Sequence, residues 1–264
     1  MAGSIQVAHG ADEERGGVTV TLSHPGKFNA VSRAMWRELK TVFAAIQADP
    51  GARCVLLRGE GGHFCAGGDI AEYPSFRFNE AALRDFHEDE VWGGLQAMLD
   101  CDVPIVAQIE GNCMGAGVEI ASCCDIRIAS DTARFGAPIA KLGFPMAPRE
   151  AALVLRAVGE LTAREMLLSA AVLDAAQMQQ RGFLNQVVAA SALDVTVDVC
   201  VQRMQGLAPQ AARLNKQSFR ALAPVDIAQA APDLIANAYR YASSAEHREG
   251  VTAFNEKRPP RFSR

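Results

Sequence analysis

Short apolar, β-rich runs alternate with stretches of helical periodicity as far as about residue 190, after which the strand signal fades. This alternation limits the fold more than any other feature. A chain that returns to extended structure after each amphipathic helix builds an α/β architecture. Residues 4–9 and 17–22 read as a strand pair joined by a polar, glycine-bearing turn over 10–17. Ser32 then stands as an N-cap before Met35, Trp36, Leu39, Val42, Phe43 and Ile46 at helical spacing, and the helix stops near Asp49-Pro50-Gly51. Buried strands are expected over 53–58, 103–110 and 125–129, and helices over 79–100 and 115–123. Beyond Ser191 only helical patterns remain, over 192–206, 209–221 and 225–243. The organisation expected is an α/β core over 1–190 followed by a helical region over 191–264, without a low-complexity linker.

Composition narrows the function. The net charge of −4 offers no basic excess for a phosphate backbone, so nucleic acid is not an expected partner. No apolar run approaches the ~20 residues of a membrane span, and the N-terminus lacks the basic and apolar segments of a secretory signal. Seven cysteines cannot all pair within one chain, and most lie in apolar runs. None has zinc-site spacing, so no metal is expected, and a reducing cytoplasm is the compartment they fit.

Two glycine-rich turns follow buried strands, His63-Phe-Cys-Ala-Gly-Gly-Asp-Ile70 and Gly111-Asn-Cys-Met-Gly-Ala-Gly-Val-Glu-Ile120. Small residues let a ligand approach the backbone, and the second turn opens a helix whose first N–H groups have no internal partner. One N–H from each turn aimed at one oxygen makes an oxyanion hole. Either turn alone is most often only a tight turn. Neither has dinucleotide or P-loop spacing.

Together these segments resemble the crotonase (enoyl-CoA hydratase/isomerase) superfamily. His24-Pro-Gly-Lys-Phe-Asn-Ala-Val-Ser32, Phe64-Cys-Ala-Gly-Gly-Asp69, Pro104-Ile-Val-Ala-Gln-Ile-Glu-Gly111 and Gly115-Ala-Gly-Val-Glu119 fall in the family's order. So do Cys124-Asp-Ile-Arg-Ile-Ala129, Phe135 with Pro138, and the C-terminal stretch from Ser244 to Phe262. The resemblance implies a spiral of ββα units with a C-terminal helical trimerisation region, assembled as a homotrimer or a dimer of trimers. It implies an acyl-CoA thioester ligand, coenzyme A entering as part of the substrate and no separate cofactor. The N–H groups of Ala66 and Ala116 would hold the thioester oxygen, and Glu119 would be the catalytic carboxylate. Lys27, Gly67, Gly68, Asp69, Gly115 and Lys257 are the remaining candidates for substrate binding.

The pattern also departs from the family. Ile139 stands after Pro138 where the family carries its second glutamate, and isoleucine cannot move a proton. Glu150 is the candidate replacement, although an Arg149-Glu150 pair at a helix start is more often a cap or surface feature. Asp69 is expected to fix its loop. Glu88-Asp-Glu90 is expected to be a solvated face, and His63 and His87 are weak candidates. Tyr73, Phe76, Phe78, Phe86 and Trp92 fit an acyl pocket or plain core packing. The activity expected is enolate formation on an acyl-CoA: hydration, dehydration or double-bond migration. A diverged decarboxylase or thioester hydrolase, or a non-catalytic CoA-binding trimer, is the alternative raised by Ile139.

Overall fold

The computed structural model describes residues 2–9, 16–222 and 227–262. Most of the turn expected over 10–17, and the start of the helix expected over 225–243, lie outside them. Nine strands occur among the described residues: β1 Ser4–His9, β2 Gly17–Ser23, β3 Cys54–Gly59, β4 Ile105–Ile109, β5 Asn112–Met114, β6 Ile126–Ser130, β7 Arg134–Gly136, β8 Val172–Asp174 and β9 Gln186–Val188. The larger sheet has the order β1-β2-β3-β4-β6-β9, antiparallel only between β1 and β2, and the smaller has the order β5-β7-β8. Four of these strands have three residues each, too few to show an alternating pattern, and none was expected from sequence.

The helices α1 Arg33–Ala48, α2 Glu80–Asp85, α3 Trp92–Asp100, α4 Ala116–Ser122 and α5 Pro148–Val158 complete a spiral. After β4 the chain adds β5 to the small sheet and then turns into α4; after β6 it adds β7 and later α5. After β3, Cys65 makes a single bridge to Cys113 of β5 before helix resumes. Each circuit therefore deposits one extended segment in each sheet and one helical segment outside, the ββα spiral.

Helix α1 follows the expected pattern. Ser32 Oγ accepts from Met35 N, and Met35, Trp36, Leu39, Phe43 and Ile46 are buried. Each such side chain contributes about 1.5–3 kcal/mol over its exposed state. The segment expected as one helix over 79–100 instead contains a wide π turn, Phe86–Val91, between α2 and α3. Such turns occur as insertions in α-helices, often at functional sites.

The helices α6 Glu160–Leu168, α7 Ala175–Gln180, α8 Leu193–Gln205, α9 Pro209–Ala221, α10 Ile227–Ala230, α11 Pro232–Asn237 and α12 Ala245–Asn255 follow. Helix α8 covers one face of the large sheet, with Leu193, Val197 and Cys200 packed on Cys54, Val106 and Ile128. The continuous helix expected over 225–243 is broken, because Pro232 has no N–H to extend α10 and instead starts α11. Helix α12 packs against two short 3-10 turns, Ile70–Ser75 and Ile139–Leu142. The approach is close: a side chain at Gly250 would overlap the Leu142 carbonyl, and one at Gly143 the Glu246 carbonyl. All seven cysteines are buried and unpaired. No helix among the described residues is long and apolar enough to cross a membrane.

Candidate active site

The two glycine-rich turns lie side by side. Cys65 N donates to Asn112 O and Met114 N to Cys65 O, each at 2.8 Å. Asn112 N also donates to His63 Nδ1 at 3.1 Å, so His63 ties the turns together. Gly115 has φ +48°, and a Cβ built there would lie 3.6 Å from Gly67 Cα. Only glycine adopts this conformation without strain.

Backbone hydrogen bonds select which amides face the ligand space. Val31 N donates to Gly67 O and Asp69 N to Val31 O, each at 2.8 Å. In extended chain the polar groups of successive residues point to opposite sides, so those of Gly68 point away from Val31. The Gly68 N–H has no acceptor among the described residues. Ala116 is the first residue of α4, and its N–H is likewise unpaired, as the first turn of a helix requires. Both residues line one cavity of about 720 Å³. Ala66 lines it too, but its N–H donates to Phe28 O at 2.9 Å and is not available. Of the expected pair Ala66 and Ala116, the Ala66 N–H is therefore already engaged, and the unpaired amides that border the cavity are those of Gly68 and Ala116. A Cβ at Gly68 would overlap Tyr73 Oη, so a side chain there requires the Tyr73 ring to move.

Two carboxyl groups border the same cavity. Glu119 lies in the first turn of α4, three residues after Ala116. Burial, and then the charge of Glu150, hold its carboxyl well above the usual range, with Arg77 opposing. Glu150 lies in the first turn of α5, which packs on α4, and it is 1% exposed. It is neither a cap nor a surface residue. Burial and the nearby Glu88 charge push its carboxyl up to about 8. Its Oε1 lies 3.0 Å from His87 Nδ1, and its Oε2 has no hydrogen-bond partner among the described residues. Ile139 also lines the cavity, in the short turn Ile139–Leu142, and leaves an apolar surface there.

Trp36, Tyr73, Phe86, Met114 and Phe144 form further apolar wall. Of the other aromatics considered, Phe76 packs on Phe86, Phe78 on His247, and Trp92 under the Arg149 guanidinium. Lys27 and Lys257 both line the cavity. Lys27 Nζ pairs with Asp69 Oδ2 at 2.6 Å, and Asp69 Oδ1 accepts from Ala71 N, so Asp69 fixes its loop as expected. Glu88-Asp-Glu90 is not a solvated face. Glu88 accepts from Tyr239 Oη and Arg149 Nε, and Glu90 from Arg33 and Arg37; only Asp89 is exposed. His87 and Arg77 are buried beside the carboxyls. Sequence reasoning gave His87 little weight and passed over Arg77, because neither belongs to a motif or a periodic face. Among the described residues no cluster of His, Cys, Asp or Glu could hold a metal.

Residues 12–264 match the profile of the family described as Enoyl-CoA hydratase/isomerase. Among solved structures, an enoyl-CoA hydratase/carnithine racemase from Magnetospirillum magneticum is similar at 34% identity, with a TM-score of 0.79 over 98% of this chain and 95% of that one. The mevalonyl-coenzyme A hydratase of Beauveria bassiana is 30% identical over 92% of this chain and 90% of its own length. The 2,3-dehydroadipyl-CoA hydratase of Escherichia coli is 29% identical over 92% of this chain and 93% of its own. With the ββα spiral and the paired turns, these matches establish that the chain belongs to the enoyl-CoA hydratase/isomerase family of the crotonase superfamily.

Proposed function

We propose that this protein adds water across, or shifts, the double bond of an enoyl-CoA thioester, with two carboxyl groups sharing the proton work. One observation carries the reading: two unpaired amides, Gly68 and Ala116, border the same cavity as Glu119 and Glu150. The amides accept the negative charge that grows on the thioester oxygen when an enolate forms, without reorganising. Glu119 and Glu150 supply an acid and a base, both carboxyls raised by burial, that of Glu150 to about 8. In hydration the base takes a proton from water as the water oxygen bonds to Cβ, and the acid then protonates Cα, so that one water adds across one double bond. In isomerisation Glu119 removes a proton from Cα and returns it to the distal carbon. Lys27 and Lys257 at the cavity support binding of the CoA phosphates. Exposed Val195, Val199, Phe219 and Leu222 on and just after the helices α8 and α9 support assembly into trimers.

The test is turnover of crotonyl-CoA and of a 3-enoyl-CoA by the purified protein, beside Glu119→Gln and Glu150→Gln. Glu119→Gln is expected to lower both reactions by about 10²–10⁴-fold, and Glu150→Gln to lower hydration by more than isomerisation. Binding of acyl-CoA without any Glu119-dependent turnover would leave a CoA-binding protein in place of an enzyme.

A further inference from the structure

The Arg77 guanidinium is wholly buried and stacks on two rings, 4.4 Å from the Tyr73 centroid and 4.1 Å from that of Phe144. Its hydrogen-bond partners among the described residues are neutral acceptors: His247 Nε2 at 3.4 Å from Nε, His87 Nε2 at 3.2 Å from Nη1 and Tyr241 Oη at 3.2 Å from Nη2. A guanidinium only donates, so both histidine Nε2 atoms must present a lone pair. His247 confirms the assignment from its other side, because its Nδ1 lies 3.1 Å from the Ala242 carbonyl, which only accepts. By the same rule His87 carries its proton on Nδ1, the atom 3.0 Å from Glu150 Oε1. Its ring is held flat against Tyr239, with centroids 5.6 Å apart and planes 16° from parallel.

We propose that His87, fixed in one tautomer by Arg77, is the positioning residue of Glu150: it donates to Oε1 and leaves Oε2 as the oxygen that carries and exchanges the proton. The inference rests on the reading of Glu150 as the second acid and base. Burial and the Arg77 charge keep His87 neutral, so its contact with Glu150 is a hydrogen bond and not an ion pair. The other groups around the Glu150 carboxyl are Glu88 from the wide turn, Glu119 from α4, Arg77 from the loop before α2, Tyr239 and Tyr241 from the segment before α12, and Arg149 from its own helix. Tyr239 Oη and Arg149 Nε donate to Glu88, whereas His87 Nδ1 lies within hydrogen-bond distance of Glu150 Oε1.

The experiment follows the protein by NMR, with ¹⁵N-labelled histidine and ¹³C-carboxyl-labelled glutamate, in wild type, His87→Gln and His87→Phe. Wild type is expected to show His87 protonated at Nδ1. His87→Phe keeps a ring against Tyr239 but has no donor, and it is expected to raise the Glu150 midpoint by about a unit or more, since loss of a bond to the anion disfavours it. His87→Gln supplies one donor and one acceptor and is expected to bring the midpoint back toward wild type. In turnover, His87→Phe should lower kcat by roughly 10-fold or more with KM little changed. A proton on Nε2 in wild type, or an unmoved midpoint in a folded His87→Phe, overturns the proposal. Wild-type turnover by Glu150→Gln would instead overturn the role of Glu150, leaving the tautomer and midpoint to decide the role of His87.

Discussion

The oxyanion site can be tested by deleting one N–H. Ala116 is the first residue of α4, where the backbone N–H has no part in the helical hydrogen bonds and proline is favoured. Proline at this position therefore removes a donor while leaving the helix in place. The preceding residue usually resists a following proline through its Cβ, but here it is Gly115, at φ +48° and ψ −111°, with no Cβ to strike. Loss of one oxyanion donor corresponds to about 2.7–4 kcal/mol in the transition state, or roughly 10²–10³ in kcat. Ala116→Gly retains the amide and is the control, expected to stay within a few-fold of wild type. The assay is steady-state hydration of crotonyl-CoA, with thermal melts to show that each variant is folded. If Ala116→Pro melts like wild type and its kcat stays within about threefold, against the 10² expected, the Ala116 amide does not stabilise the transition state and the oxyanion site as built here is wrong.

Two further outcomes follow from charge. Lys27 is 42% exposed, whereas its partner Asp69 is only 7% exposed, so loss of the lysine leaves a largely buried carboxylate without its counter-charge. Lys27→Ala and Lys257→Ala should raise KM for acyl-CoA several-fold, more at low salt, with little change in kcat, and Lys27→Ala should also lower the melting temperature; an unchanged KM removes both from the CoA site. Glu150 lies near 4.5 when unfolded and about 8 when folded, so between those values the folded chain holds a proton that the unfolded chain has released. Its stabilising contribution is complete below the lower value and is lost as pH rises toward the upper one. Glu150→Gln should flatten the fall in melting temperature across that window; identical slopes in the two proteins would mean that the carboxyl is not held protonated.

What could be read from sequence followed the length of each element. Ser32 with the apolar face of α1, the runs that became β2, β3 and β4, and the bend before α4 all carry local signals, and each formed where expected. The three-residue strands draw their pairing from distant partners, as Arg134 to Gly136 does from β5 and β8, and nothing local marks them. The ligand cavity divided the same way. Glu119 sits in a motif, and so do the glycines. Choosing among adjacent amides required the carbonyls of Phe28 and Gly67, which only the folded chain brings near. Glu150 is buried against His87, a contact across 63 residues of sequence that no local signal marks. His87 gains its meaning from Arg77, and Arg77 from three aromatic faces and two segments of the C-terminal region.

The tether of Val31 to both Gly67 and Asp69 makes the span from Phe64 to Asp69 a matter of counting. Inserting or removing a single residue there would turn a carbonyl toward the cavity in place of a donor, and on the proposed function would repel the thioester oxygen. The side chains at 65 and 66 can vary within the room available, whereas the number of peptide units between the two anchors cannot.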